Sequence, residues 1–376
     1  MRSLAVLFIA ALAIAGIASK LAPETHEQRT VAALLTERDP PAGFQTATRA
    51  RTFDFPADHA SHPRFRSEWW YFTGNTDTDG GKALGFQVTI FRFALRPPAP
   101  ASRSPWRRPD VYLGHFAVTD IGEGTFHHFE RRSRGVMDLA GARDAPVKIW
   151  IRDWSIELVD PQNETWRISA RASGVGLNLV LRSKRPVTPQ GNNGLSSKSA
   201  EPGNASYYYS IPRLAAAGTI ETPEGVHRVR GNAWYDHEWS TSALAEDQVG
   251  WDWFSLQLDD GSDLMFYQIR DVRGHADPVS HGIILSPDGA RTELEPEGID
   301  LTVRGHWRSR TSGTRYPAAW SLHVPGRDLT LTVTPRLANQ EWRGIFTYWE
   351  GAVQVSGVSA GRRVKGTGYV ELVGYD

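Results

Sequence analysis

From about Phe53 onward the chain is a succession of short runs in which apolar and polar residues alternate with a period of two, broken by Gly, Asp, Asn and Pro. Such runs suit strands with two unlike faces and leave little room for helices. "ALGFQVTIFRF", "YLGHFAVTDI", "DWSIELVD", "DLTLTVTP" and the closing "VKGTGYVELVGYD" all read this way. The clearest hairpin is 251–270, where two alternating strands flank "DDGSD", an Asp/Gly turn suited to positive backbone dihedrals. The pattern predicts an all-β fold with one short helix, between Pro23 and Pro40, carrying Val31, Leu34 and Leu35 on its apolar side.

With 376 residues, 40% of them hydrophobic, the chain is long enough for two cores. Two Pro/Gly/Ser-rich segments, "RPPAPASRSPWRRPD" and "KRPVTPQGNNGLSSKSAEPGNAS", interrupt the strands, and a boundary near 216 divides the β region into 50–215 and 216–376. Residues 1–19 resemble an export signal: Arg2, an apolar run from Leu4 to Ala18, and small residues at 16, 18 and 19. The run is short for a bilayer span, so the expectation is a periplasmic or secreted product with no membrane span in the mature chain, joined to the first domain by residues 20–49. The 42 basic residues equal the 42 acidic ones, which leaves no positive field for nucleic acid. Cysteine is absent, which excludes thiol chemistry, disulfides and Cys-ligated metals.

Chemistry-bearing residues concentrate in three strand-like stretches. In "WYDHEW" alternation puts Trp234, Asp236 and Glu238 on one face and Tyr235, His237 and Trp239 on the other. In "SEWWYF" it sets Glu68, Trp70 and Phe72 against Trp69 and Tyr71, with Arg64 and Arg66 as candidate partners for Glu68. In "GWDWF" it separates Trp251 and Trp253 from Asp252, an acid pointing toward an apolar face. Solvent-facing strands do not need such bulky rings, and a sealed core does not tolerate so many ionisable groups without partners. One face of these strands is therefore expected to line a cavity, and alternation alone does not say which. Structural roles for the same residues remain the alternative: rings in strands are most often core, and Asp252 can serve as a strand-end cap. His62, His115, His127, His128 and His237 show no ligand spacing, so no metal and no cofactor are expected. No His-Glu-x-x-His or phosphate-binding glycine loop occurs. Paired-carboxylate glycoside hydrolysis by Asp236, Glu238 and Asp252 stays open.

The stretches "HPRFRSEWWYFTGN", "GFQVTIFRF", "GHFAVTD", "YYYSIPRLAAAGTI", "GNAWYDHEWS", "GWDWFSLQLDDGSDLMFYQIR" and "GTGYVELVGY", in that order from about residue 50 to the C-terminus, resemble the AttH/CrtC family. That family comprises lipocalin-like predicted secreted hydrolases, AttH-type proteins encoded with ABC-transporter permeases and, more distantly, carotenoid 1,2-hydratases. The resemblance implies two lipocalin-like antiparallel β-barrels packed together around a hydrophobic pocket near their interface. From the hydratase branch it implies His237, Trp239 and Tyr267 as candidate active-site residues. The chain departs from that branch in having Gln268 and Ile269 where the hydratases place an acid near the tyrosine; Asp271 would have to slip register to replace it.

The reading is an exported protein that binds a lipid or isoprenoid-like ligand and acts on it as a cofactor-independent hydrolase or hydratase. Candidate catalytic residues are Asp236, His237, Glu238, Trp239, Asp252 and Tyr267. The ligand-binding wall would be Glu68, Trp69, Trp70, Tyr71, Trp234, Tyr235, Trp251 and Trp253. Lipid presentation to an ABC-transporter permease without catalysis is the alternative, and glycoside hydrolysis a second.

Overall fold

The computed structural model describes residues 42–98, 109–242 and 244–375; the expected export signal and the helix before Pro40 lie outside them, as does most of the first Pro-rich segment. The described residues form two antiparallel sheets of 13 and 10 strands, with no helix longer than a single 3-10 turn among them. Among the described residues no helix is long and apolar enough to cross a membrane.

The first sheet runs from the Thr125–Arg134 edge through Asp110–Asp120, Ala83–Ala94 and Ser67–Thr78 to Gly225–Ser240 and Ala205–Thr222, then through Val175–Ser183 to Ala140–Asp144. It curls until the strands at its two ends meet, and the core inside it is closed by Trp70, Phe116, Trp154, Trp166 and Trp239. Val175–Ser183 shows the simplest consequence of a period of two: Leu177, Leu179 and Leu181 point inward, while Asn178, Val180 and Arg182 face water. The second sheet is centred on Asp263–Asp271, Gln248–Leu258, Arg362–Val373 and Thr347–Ser359, and curls around its own core of Phe254, Leu256, Trp320, Leu331 and Val353. Two lipocalin-like antiparallel barrels, as expected, thus make up the molecule.

The changeover between sheets falls between Ser240 and Gln248, whereas position 216 lies inside the Ala205–Thr222 strand of the first sheet. The reason is that the Pro/Gly/Ser-rich segment before it does not leave the first barrel: it folds back and pairs with Ala205–Thr222 through Thr188–Pro189 and Leu195–Ser197.

A third apolar cluster joins the outer face of the first sheet to the second, and includes Tyr71, Trp234, Trp253, Tyr267, Tyr348 and Tyr369. The last eight residues of Gly225–Ser240 are buried on both faces for that reason. Pro212 cannot donate to the ladder, and the pairing of Ala205–Thr222 with Gly225–Ser240 shifts between Ile211 and Leu214. At this break Gln257 of the second sheet donates to the Pro212 carbonyl at 2.7 Å, and Arg213 and Arg185 both reach buried Asp263. Further along the interface Gly85 leaves room for the second sheet: a Cβ there would stand 2.8 Å from the Tyr369 hydroxyl and 2.9 Å from the Ala352 methyl.

Candidate active site

Register places the cavity. Trp69 pairs with Glu238 and Tyr71 with Asp236, so these four side chains leave the first sheet on the same side, toward the second. Trp251 and Trp253 face them from Gln248–Leu258, Tyr267 from Asp263–Asp271, Glu371 from Arg362–Val373 and Tyr348 from Thr347–Ser359. Between them lies a cavity of ≈ 140 Å³ with mostly apolar walls, to which Phe91, Phe93 and Phe346 also contribute. That is about the room a single aromatic ring needs.

Four carboxyl groups stand at or beside this apolar space. Asp236 receives hydrogen bonds from Trp234 Nε1 at 2.7 Å, from the Tyr208 hydroxyl at 2.7 Å and from the Ser210 hydroxyl. Burial, reinforced by the charge of Glu238, nevertheless pushes its carboxyl up to about 7. Glu350 and Glu371 are direct cross-strand partners. Trp251 Nε1 donates to Glu371 at 2.9 Å and the Tyr71 hydroxyl to Glu350 at 2.6 Å. Burial raises both carboxyls, Glu371 to about 7 and Glu350 well above the usual range, the latter also because Glu371 is beside it. Two such groups in one dry site cannot both ionise, so at neutral pH the pair holds a proton against the cavity wall.

The fourth, Glu238, has a cation beside it. Lys198 Nζ lies 2.7 Å from its Oε1, close enough for an ion pair though off the hydrogen-bond direction, and donates to the Ser196 hydroxyl at 3.2 Å. Burial disfavours the ammonium, but Glu238, Tyr267 and Asp236 together outweigh it and the amine is raised. Ser196 hydrogen-bonds the Tyr267 hydroxyl at 2.9 Å. One end of the cavity is therefore a polar row, and the rest is aromatic wall with acids set into it. His115 lines the far side, its Nδ1 2.8 Å from the Tyr348 hydroxyl, and burial lowers its basicity.

A profile of the AttH-like family matches residues 46–375, which takes in both sheets and every wall of this cavity. The chain belongs to the AttH-like family. Among solved structures, the chain is similar to an AttH-type protein of Nitrosomonas europaea, with 32% identity and a TM-score of 0.78 over 88% of this chain and 99% of that one. It also shares its fold with kievitone hydratase of Nectria haematococca, at 15% identity and a TM-score of 0.63 over 88% and 98% of the two chains. By sequence it is 27% identical to the dehydratase asqC of Emericella nidulans over 153 residues, 38% of this chain and 42% of that protein. The chain's matches span no more than about half the length of these curated relatives.

The structure divides the residues singled out in the sequence into three groups. Asp236, Glu238, Tyr267, Trp69, Tyr71, Trp251 and Trp253 line the cavity, and Trp234 abuts it through Trp253 and Asp236. Glu68, Trp70, Tyr235, His237 and Trp239 do not; they project from the same two strands into the first barrel. Asp252 points inside the second sheet, where it is bound by Arg270 and Tyr375, so it is no strand-end cap. The partner of Glu68 is Arg92, at 3.0 Å, because Arg92 stands opposite it in the neighbouring strand while Arg64 and Arg66 precede the strand. Lys198, Glu371 and Glu350 escaped the sequence reading. Lys198 sits in a segment that composition marks only as loop. Glu350 had one signal, the Glu–Trp coupling in "TYWEG".

Proposed function

We propose that this AttH-like protein adds water across a carbon–carbon double bond at the end of a hydrophobic, isoprenoid-like molecule, or forms that double bond by removing water from the corresponding alcohol. The observation that supports this most is the Glu350–Glu371 pair, a carboxylic acid kept protonated at neutral pH in an aromatic cavity. In the hydration direction Glu371 passes the proton of the pair to one alkene carbon, forming a C–H bond from the π electrons and leaving a cation on the other carbon. The faces of Trp69, Trp251 and Tyr71 stabilise that cation by roughly 0.5–2 kcal/mol each. Water bonds to the cation through oxygen, and the proton it sheds returns to the carboxylate pair. Dehydration is the reverse. Asp236 offers a second carboxyl poised near neutrality, and the Lys198–Glu238–Ser196–Tyr267 row suits a hydroxyl or carbonyl elsewhere on the ligand. A kievitone hydratase and the dehydratase asqC, to which the chain is similar, agree in reaction type by name.

The aromatic walls favour such a ligand over a sugar, which would need a polar groove. Export is supported by the leader-like residues 1–19. The same walls would hold a lipid for presentation to a membrane permease without turnover. To separate these readings, the purified protein is incubated with an acyclic terpene alkene and with a prenylated phenol in heavy-oxygen water. Hydration predicts a labelled alcohol from wild type and none from Glu371→Gln. Recovery of both probes unaltered, alongside an apolar molecule extracted intact from the protein, would establish carriage instead.

A further inference from the structure

Behind the pocket, on the other face of the Gly225–Ser240 strand, the fold assembles a donor set that the sequence spacing conceals. His62 comes from the loop after the 3-10 turn Ala57–His59, Glu68 from Ser67–Thr78 and His237 from Gly225–Ser240. One ligand atom of each lies within 4.8 Å of the others. Glu68 Oε1 is 2.7 Å from His62 Nδ1 and 3.0 Å from His237 Nε2.

We propose that His62, Glu68 and His237 bind a divalent transition metal of the zinc class, with three protein ligands and a fourth position left for water. Ligand atoms of a tetrahedral site with bonds of about 2.0–2.1 Å stand roughly 3.3 Å apart. The Glu68 oxygen therefore needs to withdraw by about 0.6 Å from His62 Nδ1 and about 0.3 Å from His237 Nε2, and the two nitrogens, now within 4.8 Å of each other, need to settle at the same spacing. Two imidazoles with one carboxylate suit zinc, cobalt or iron(II) and do not suit magnesium or calcium, which require oxygen donors.

Three further observations support the site. First, both rings are already aimed by outer partners, as metal-bound imidazoles are: His62 Nε2 lies 3.1 Å from Asp58 Oδ1, and His237 Nδ1 lies 2.9 Å from the Tyr209 hydroxyl. Second, the rings cannot swing away. His62 stacks on Trp239 at 3.6 Å between centroids and 3° between planes, and His237 stacks on Trp70 at 4.9 Å. Third, the charges balance. Within this hydrogen-bonded network Asp58, Glu68, Asp110 and Glu164 face Arg51 and Arg92; once His62 has given up its second ring proton, the excess is two negative charges, which a divalent ion would cancel.

The protons can also be placed. Glu68 only accepts, so without a metal both nitrogens that face it carry hydrogen. On binding, His62 releases its Nδ1 proton and keeps Nε2–H on Asp58. His237 moves its hydrogen to Nδ1 and donates to the Tyr209 oxygen, whose hydroxyl turns to the Asp58 carbonyl at 3.3 Å. In a chain without cysteine, such an ion would tie the loop carrying Asp58 and His62 to the two strands that form the pocket floor.

The test uses the full chain, stripped with chelator and titrated with Co2+. One equivalent is expected to give visible d–d absorption that Zn2+ abolishes, together with a rise in melting temperature under Zn2+. His62→Ala, at a partly exposed position where the fold should survive, removes both effects; Asp58→Asn weakens binding about 10- to 100-fold; His275→Ala, at an exposed site, changes neither. Absent Co2+ absorption and absent thermal shift in wild type would overturn the assignment, as would His62→Ala binding as tightly as wild type.

Discussion

The two faces of the Gly225–Ser240 strand carry the same kinds of residue and put them to opposite use. On the pocket face Asp236 is pushed up to about 7 and Glu371, two strands further on in the second sheet, matches it. On the barrel face Glu68 is held far below the usual carboxylate range although it is equally buried, because hydrogen bonds from His237 and His62 and the charge of Arg92 outweigh burial. His237 beside it is pushed down to about 4, chiefly by burial. Burial alone therefore does not make an acid reactive. Glu68, given two imidazole donors and a guanidinium, becomes a fixed anion, whereas Glu371, given only a neutral donor and another carboxyl, becomes a proton store.

The comparison breaks most sharply under substitution. Glu371→Gln should lower turnover by roughly 10²–10⁴-fold while the fold and ligand binding persist, measured as labelled-alcohol formation beside a melting curve. Glu68→Gln should do the reverse. Arg92 would keep Asp110 but face an amide in place of Glu68, costing about 1–3 kcal/mol in denaturant unfolding, while folded protein retains a functioning pocket. If Glu68→Gln abolishes turnover without loss of stability, the division between the faces is wrong.

A smaller effect separates the faces by pH. Glu371 has a raised pKa in the folded state, so its contribution to stability is full below about 4.5 and is lost as pH rises through about 7. His237 is a depressed base, so its contribution is lost as pH falls from about 6.5 toward 4. Melting temperatures of wild type and Glu371→Gln should accordingly converge or cross as pH rises past 7, and turnover should decline over the same range. A difference between the two proteins that is constant from pH 5 to 8 would reject the shared proton. Smallest of all, Asp252→Asn should leave turnover within about twofold, because Arg270 and Tyr375 hold Asp252 away from the cavity. Lys198→Met should fall between these limits, raising the ligand concentration needed for half-maximal rate more than it lowers the maximal rate.

Much of this division was legible in the alternation of "WYDHEW" and "SEWWYF", which separates Asp236 and Glu238 from His237 without a structure. What alternation lacks is the identity of the covering layer. Only the second sheet decides that the Asp236 side is the cavity, and its contributors, Trp251, Tyr267, Glu350 and Glu371, meet there through pairings that span much of the chain. The His62–Glu68–His237 cluster was hidden for a related reason: His237 stands 169 positions from Glu68, and no short motif can record a contact made by strand pairing. The domain boundary near 216 was misplaced because composition marks where the chain turns, and here it turns back onto the same sheet.

Gly85 gives this architecture a gauge. It lies two residues from cavity-lining Gln87, on the same face of the strand, where the sheets approach to within the length of a missing methyl group. An alanine there would act as a spacer, converting one carbon atom into distance between the barrels. A series of probes of increasing girth, compared in wild type and Gly85→Ala, would read the clearance above the acids directly.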